Sequence, residues 1–115
     1  MSDRWRQASR TDLTGDDLDR AAALVKVLDS RTRLEILLLL AEEEMMVHQL
    51  VAELGKSQPL VSQHLRVLRA AGLVTSARKG REVLYALAEP GIIAIIAELA
   101  AIVDPLPTAP EPVRD

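Results

Sequence analysis

Apolar residues recur at the three- and four-residue spacing of a helix through the first third of the chain. A first helix is predicted to begin after the capping residue Thr14. Its apolar face is formed by Leu18, Ala21, Ala22, Val25 and Leu28. A second helix is predicted to begin at Asp29 or Ser30 and to end within residues 42–44. Its predicted buried stripe consists of Leu34, Leu37, Leu38 and Ala41.

Two further helices follow, separated by a tight turn. Val47–Leu54 is predicted as a helix that Gly55 closes in a left-handed conformation. The next helix, residues 57–71, has Ser57 as its cap and is stopped by Gly72. Its predicted buried side is Leu60, Val61, Leu65, Leu68 and Ala71. Two short helices joined in this way form a helix-turn-helix candidate.

Beyond residue 72 the apolar positions alternate instead of following a helical period. Residues 73–77 and Glu82–Leu87 are predicted as strands, joined by a cationic hairpin turn at residues 78–81. Gly91–Val103 is predicted as the last helix. The predicted fold class is therefore mainly α with a two-stranded β-wing. It is a winged helix-turn-helix of order α-α-α-α-β-β-α that dimerises through its terminal helices.

The 115 residues form one domain with two flanking segments. The pattern predicts a flexible arm at residues 1–13, a winged helix-turn-helix domain at 14–103, and a disordered proline-rich tail at 104–115. The lack of cysteine excludes disulfides, thiol catalysis and zinc–thiolate sites. Residues 1–10 do not resemble a signal peptide and the apolar stretch 90–103 is too short to span a bilayer, so a cytoplasmic location is expected.

Charge is unevenly distributed along the chain. Residues 56–81 contain six lysines and arginines and no acid, so the net charge of −3 leaves −9 on the other residues. Charge alone favours a solvated basic face. The position of this basic segment, over the second helix of the helix-turn-helix and the hairpin after it, favours binding to double-stranded DNA instead.

Side chains near the start of the fourth helix have the chemistry for reading base edges, because glutamine and serine both donate and accept hydrogen bonds. The predicted base-reading residues are Gln58, Ser62, Gln63 and His64. A serine cap, helix N-terminal N–H groups and cations suit phosphates or the minor groove. The residues predicted for these contacts are Ser57, Arg66, Arg69, Arg78, Lys79 and Arg81.

Three motifs occur in order along the chain. LDSRTRLEIL spans residues 28–37, QPLVSQHLRVL spans residues 58–68 with AGLV shortly after it, and GREVLYAL spans residues 80–87. In that order, the three motifs resemble a signature sequence, the recognition helix and the wing of the ArsR/SmtB family of bacterial transcriptional repressors. The resemblance extends over roughly residues 18–103. The resemblance implies a homodimeric winged helix that binds an inverted-repeat operator and blocks transcription until an effector releases it.

The metal ligands of that family are largely missing. Where its metal sensors carry a Cys-x-Cys pair near the third helix, this chain has Met46 and His48. The positions of the last-helix ligands fall on Glu89, Gly91, Ile102 and Pro105, of which one has a metal-binding side chain. No cofactor and no metal site are therefore predicted, and the effector is left open. Cu(I) binding by the methionine and histidine is the alternative to ordinary packing, which is favoured.

The last predicted helix is apolar nearly all round, because Glu98 is its only charged residue. A terminal helix covers only one side of its own domain, so its remaining apolar surface calls for a second copy of the chain. The predicted dimer interface is Leu18, Ala22, Val25, Ile92, Ile95, Ile96, Leu99 and Ile102. Trp5 is either a lid on this dimer surface or a residue of the arm.

Two other functions compete with DNA binding. An enzyme would need an activated nucleophile, a phosphate-binding loop or paired carboxylates, and the sequence offers no such arrangement, so no enzyme is predicted. A winged-helix adaptor that captures another protein through residues 56–81 is the alternative. Arg31 and Arg33 are expected to pair with Asp29, Glu35 or an acid of the first helix rather than to contact phosphate.

Overall fold

Five α-helices and a three-stranded antiparallel sheet make up residues 12–103, the part of the chain that this computed structural model describes. The predicted tail and all but the last two residues of the predicted arm, Trp5 included, lie outside the described residues. In chain order the elements are α1 (Gly15–Leu28), α2 (Arg31–Glu42), β1 (Met45–Met46), α3 (Val47–Leu54), α4 (Gln58–Ala70), β2 (Val74–Lys79), β3 (Glu82–Leu87) and α5 (Gly91–Val103).

Capping residues explain where the helices begin and end. Thr14 and Asp17 form a capping box at the start of α1, and the Ser30 hydroxyl accepts a hydrogen bond from a backbone N–H in the first turn of α2. Gly55 ends α3 at a φ of +66°, a conformation that costs glycine little. Ser57 caps α4. These predicted boundaries are confirmed to within one or two residues.

The sheet contains one strand more than predicted. The two-residue strand β1 pairs antiparallel with β3, in the register Met45 to Tyr85 and Met46 to Leu84. The hairpin is also longer than predicted, because the two cations before Gly80 belong to strand β2 rather than to the turn. The wing, defined here as strands β2 and β3 with the turn between them, is therefore attached along one edge to the body of the domain.

The core is aliphatic, as the composition predicts. Its buried residues are Leu28, Ile36, Leu37, Leu40, Met45, Leu50, Val61, Leu65, Leu68, Leu73, Val74 and Ile92. The buried stripe predicted for α2 is wrong in part, because Leu38 and Ala41 are exposed while Ile36 and Leu40 are buried. Helix α2 contacts every other helix and strand β3. Because α2 is apolar at nearly every position from Leu34 to Ala41, these contacts, and not its sequence pattern, decide which of its faces is buried.

The other helices bury fewer apolar residues than their patterns suggest. The predicted burial of Leu60 in α4 and of Ala71, the residue that follows this helix, is wrong, since both are exposed. In α1 only Leu28 is buried, and in α5 only Ile92, which is 1% exposed and belongs to the core of its own chain. Ile92 is therefore unavailable to the predicted dimer interface. Within residues 12–103 no helix is both long enough and apolar enough to cross a membrane.

Candidate nucleic-acid interface

Helix α4 is held against the domain by one face and leaves the other uncovered. Val61, Leu65 and Leu68 are buried, and they follow one another at helical spacing. With about 100° of rotation per residue, Gln63 and Arg66 lie on the opposite side, where both are exposed. The turn at Gly55 sets the direction of α4 relative to α3, with which it packs. The result is the geometry of a helix-turn-helix whose second helix faces solvent.

The beginning of α4 suits a negatively charged group. The Ser57 hydroxyl accepts a hydrogen bond from the backbone N–H of Leu60 (3.4 Å), and the first turn contains no acid. Gln58, the first helical residue, is exposed. Pro59 has no N–H, and the N–H groups of Leu60 and Val61 are both bonded to Ser57, so the feature that favours an anion here is mainly the positive end of the helix dipole.

The wing extends beside α4 and carries three exposed cations, Arg78, Lys79 and Arg81. None of the three forms an ion pair with another residue in the range 12–103. An exposed cation without a protein partner is free to neutralise a phosphate, and its release of counterions makes binding salt-dependent. The structure thus contains the predicted cationic hairpin, with Arg78 and Lys79 at the end of strand β2 rather than in the turn.

A groove of about 480 Å³ separates the wing from the start of α4. It brings Gln58 and Ser62 of α4 to the same surface as Arg81 of the wing. The other residues lining it are Met46, Val47, His48, Val51, Glu82, Val83 and Tyr85. His48 Nε2 lies 3.4 Å from Glu82 Oε1, which links the first turn of α3 to the end of the wing that carries the turn. Helix and wing therefore form one continuous surface rather than two separate ones.

His64 lies on the flank of α4 rather than on its outermost face. It is half-buried, and its Nδ1 is 3.2 Å from Nη1 of Arg33 on α2. Burial lowers the pKa of His64 from its ordinary value, and the positive charges of Arg33 and Lys56 lower it further. Among the predicted base-reading residues, His64 is thus in contact with a side chain of another helix.

Arg33 has a role that the sequence reasoning missed. Its guanidinium contacts backbone carbonyls at the end of α1 and the imidazole of His64, so the expected pairing of Arg33 with an acid is wrong. Arg31 is exposed and has no ion pair within the described part of the chain. The local sequence gives no signal for the Arg33 contact, because its partner on α4 is 31 residues away.

The donor atoms for a metal site are sparse in the part of the chain described. Residues 12–103 contain no group of three or more histidine, cysteine or acidic side chains close enough to hold a metal ion. Met46 is half-buried at the end of β1, and His48 is exposed beside Glu82. Of the predicted last-helix positions, Pro105 lies outside the described residues.

The comparisons with known proteins agree with this geometry. The family model described as bacterial regulatory protein, arsR family, matches residues 30–76. The HTH-type transcriptional repressor SmtB of Mycobacterium tuberculosis is 48% identical over 84 residues, which cover 73% of this chain and 62% of that protein. The biofilm growth-associated repressor of Agrobacterium fabrum is 41% identical over 81 residues, covering 70% and 69% respectively. The chain thus spans about three fifths of the mycobacterial repressor.

A solved structure confirms the fold class. The solution structure of a homodimeric winged helix-turn-helix DNA-binding domain from Mycobacterium bovis, described as a possible ArsR-family regulator, superposes with a TM-score of 0.68 at 30% identity. The match covers 85% of this chain and 88% of that one. The predicted winged helix-turn-helix is therefore confirmed, with β1 as an additional strand. Two of these three relatives are named as repressors and the third as a DNA-binding domain, and none is named as an enzyme. These names agree with the prediction of a DNA-binding regulator.

Proposed function

The chain belongs to the arsR family of bacterial regulatory proteins, and on that premise we propose that it is a homodimeric transcriptional repressor that binds an inverted-repeat operator in double-stranded DNA. The observation that carries this proposal is the continuous surface formed by the exposed face of α4 and the cations of the wing, which have no ion-pair partner among residues 12–103. A surface of this kind combines groups that read bases with groups that hold phosphates.

The residues proposed to read bases and those proposed to bind phosphates are assigned from the geometry of α4 and the wing. Gln58, Ser62, Gln63 and His64 read base edges in the major groove. Ser57, Arg66, Arg69, Arg78, Lys79 and Arg81 hold phosphates or enter the minor groove. Gln63 lies on the outermost face of α4, so it is the residue most directly presented to the floor of a groove.

Dimerisation would cover the apolar surface that α1 and α5 leave exposed. Val25 of α1 is 62% exposed and Ile102 of α5 is 55% exposed. The proposed interface is Leu18, Ala22, Val25, Ile95, Ile96, Leu99 and Ile102. Binding to successive major grooves of an inverted repeat requires that the two-fold axis of this dimer place both α4 helices on one side.

We also propose that thiophilic and divalent metals do not regulate DNA binding. The chain has no cysteine, and the described residues offer no cluster of metal ligands. Zinc, cadmium or arsenite at one equivalent per subunit should therefore leave the operator affinity unchanged in titrations. A tight zinc site with one ion per subunit that releases DNA would overturn this proposal, and it would direct attention to Met46 and His48.

Binding to the promoter upstream of the chain's own coding region tests the function. In fluorescence anisotropy titrations across salt, the protein should prefer this promoter to scrambled DNA. Gln63→Ala should reduce that preference, whereas Arg81→Ala should weaken both DNAs alike and reduce the salt slope by about two for a dimer. Arg31→Ala is the matched control, because it removes the same charge from α2, at an exposed arginine that has no ion pair among residues 12–103.

The outcomes separate the competing functions. Equal affinity for the promoter and scrambled DNA at every salt concentration would refute sequence-specific repression. Salt-insensitive capture of a protein through residues 56–81, without DNA binding, would support the adaptor instead.

A further inference from the structure

The guanidinium of Arg33 joins three helices. From its place on α2 it donates through Nε to the carbonyl of Val27 (2.5 Å) and through Nη2 to the carbonyl of Lys26 (3.4 Å), both in the last turn of α1. Its remaining nitrogen, Nη1, lies 3.2 Å from Nδ1 of His64 on α4. Carbonyls in the last turn of a helix lack intrahelical partners. The Lys26 carbonyl also accepts from the N–H of the C-cap residue Asp29, so Arg33 adds to the capping of α1 mainly at Val27.

The chemistry of arginine decides the protonation of the histidine. A guanidinium has only N–H donors and stays protonated at any pH at which proteins fold. The Nδ1 atom of His64 must therefore be the acceptor in the contact with Arg33. A neutral imidazole whose Nδ1 accepts a hydrogen bond carries its proton on Nε2.

The surroundings of His64 also keep the ring neutral. The side chain is half-buried, and the charged groups that face it are Arg33 from α2 and Lys56 from the turn before α4. Burial lowers its pKa first, and both cations lower it further. The ring is therefore neutral at physiological pH, and its proton position is set by the hydrogen bond to Arg33.

We propose that Arg33 is a positioning residue that holds His64 as the Nε2–H tautomer, so that helix α4 offers DNA a single hydrogen-bond donor at this position. The partner of that donor is an acceptor on DNA, either a phosphate oxygen or a base edge such as guanine N7 or thymine O4. This second half of the proposal rests on the proposed function, whereas the tautomer is a property of the free protein.

The tautomer is measured directly by nitrogen-15 NMR of the histidine rings in the DNA-free protein near pH 7.5. The expected result for His64 is a protonated Nε2 and an unprotonated Nδ1. In Arg33→Met the ring should populate both tautomers and its pKa should rise. Arg31→Met is the matched control, because it removes an exposed arginine of the same helix, and it should leave the His64 signals unchanged. A wild-type Nδ1–H tautomer or an imidazolium at this pH would overturn the proposal, even if the Arg33 variant failed to fold.

DNA titrations test what the donor does. His64→Gln retains an N–H donor at a similar position, whereas His64→Met removes it and should weaken operator binding by about tenfold or more. Arg33→Met should weaken binding in the same way. Because Arg33 acts through His64, the double variant should bind no more weakly than the weaker single variant.

Each outcome has a separate meaning. If the losses in binding free energy caused by Arg33→Met and His64→Met add up in the double variant, Arg33 acts independently of His64. The positioning role would then be wrong. A loss confined to one base pair of the operator assigns the acceptor to a base edge, while a uniform loss assigns it to a phosphate. If the wild-type protein has the expected tautomer but binds no DNA, the proposed function fails together with the donor role, and only the tautomer assignment stands.

Discussion

Truncating one leucine of α5 should weaken the dimer without touching the DNA-binding surface. Leu99 is 48% exposed in the single chain. Burying a leucine side chain fully is worth about 1.5–3 kcal/mol, so covering the exposed half contributes about 1 kcal/mol. Two-fold symmetry places this contribution in the interface twice. Leu99→Ala should therefore destabilise the dimer by about 2 kcal/mol, which raises its dissociation constant about 30-fold.

Leu38 provides a matched control for this substitution. It is 45% exposed, nearly the same as Leu99, but it lies on α2 outside the proposed interface. Leu38→Ala should therefore cost each chain a similar amount of folding stability while leaving the dimer dissociation constant unchanged. Sedimentation equilibrium over nanomolar to micromolar concentrations measures that constant for all three proteins.

Two results would refute the reasoning about the dimer. The first is a wild-type protein that sediments as a 12.6 kDa monomer at micromolar concentration. The second is an equal shift in the dissociation constant for Leu99→Ala and Leu38→Ala, which would place the interface elsewhere. Leu99→Arg extends the test, because a buried unpaired charge should abolish the dimer and with it tight operator binding, although α5 is not expected to contact DNA.

Three further predictions concern the folding of a single chain, measured as free energies of unfolding in urea. Ser57→Ala removes the hydroxyl that accepts from the Leu60 N–H and should cost about 1 kcal/mol. Gly72→Ala places a side chain at a φ of +80° and should cost about 1–2 kcal/mol, while Gly15→Ala, at a helical position with open space around it, should be neutral or slightly stabilising. Burial lowers the pKa of His64, so the unfolded chain binds more protons as pH falls through the ordinary histidine range. The stability present above that range should decline there, and His64→Gln should reduce the decline; an unchanged slope would contradict the burial of this ring.

Local signals in the sequence suffice for the helix-turn-helix and the wing. Gly55 and Ser57 each have a conformational or hydrogen-bonding preference that acts within a few residues, and both occupy the predicted positions. The exposed cations of the hairpin follow from its sequence in the same way. The outer face of α4 is also predictable, because its buried residues follow a clear helical period.

Features that depend on distant contacts are not predictable from the same signals. Helix α2 is apolar at nearly every position from Leu34 to Ala41, so periodicity alone does not determine that Leu38 faces solvent. Strand β1 has two residues, too few to produce a pattern, and its partner strand lies about 40 residues further along the chain. The contact between Arg33 and His64 has no sequence signal for the same reason.

The short strand β1 fixes the reach of the protein along a nucleic acid. Met46 both ends this strand and serves as the N-cap of α3, so backbone hydrogen bonds connect the wing directly to the start of the helix-turn-helix. The separation between wing and α4 is therefore set by the main chain. Inserting one base pair into a half-site displaces its two ends by about 3.4 Å and rotates them by about 35°. Because the distance between the wing and α4 is fixed, the protein cannot adapt to that change. The proposed repressor should therefore select the length of its half-site as strictly as its base sequence.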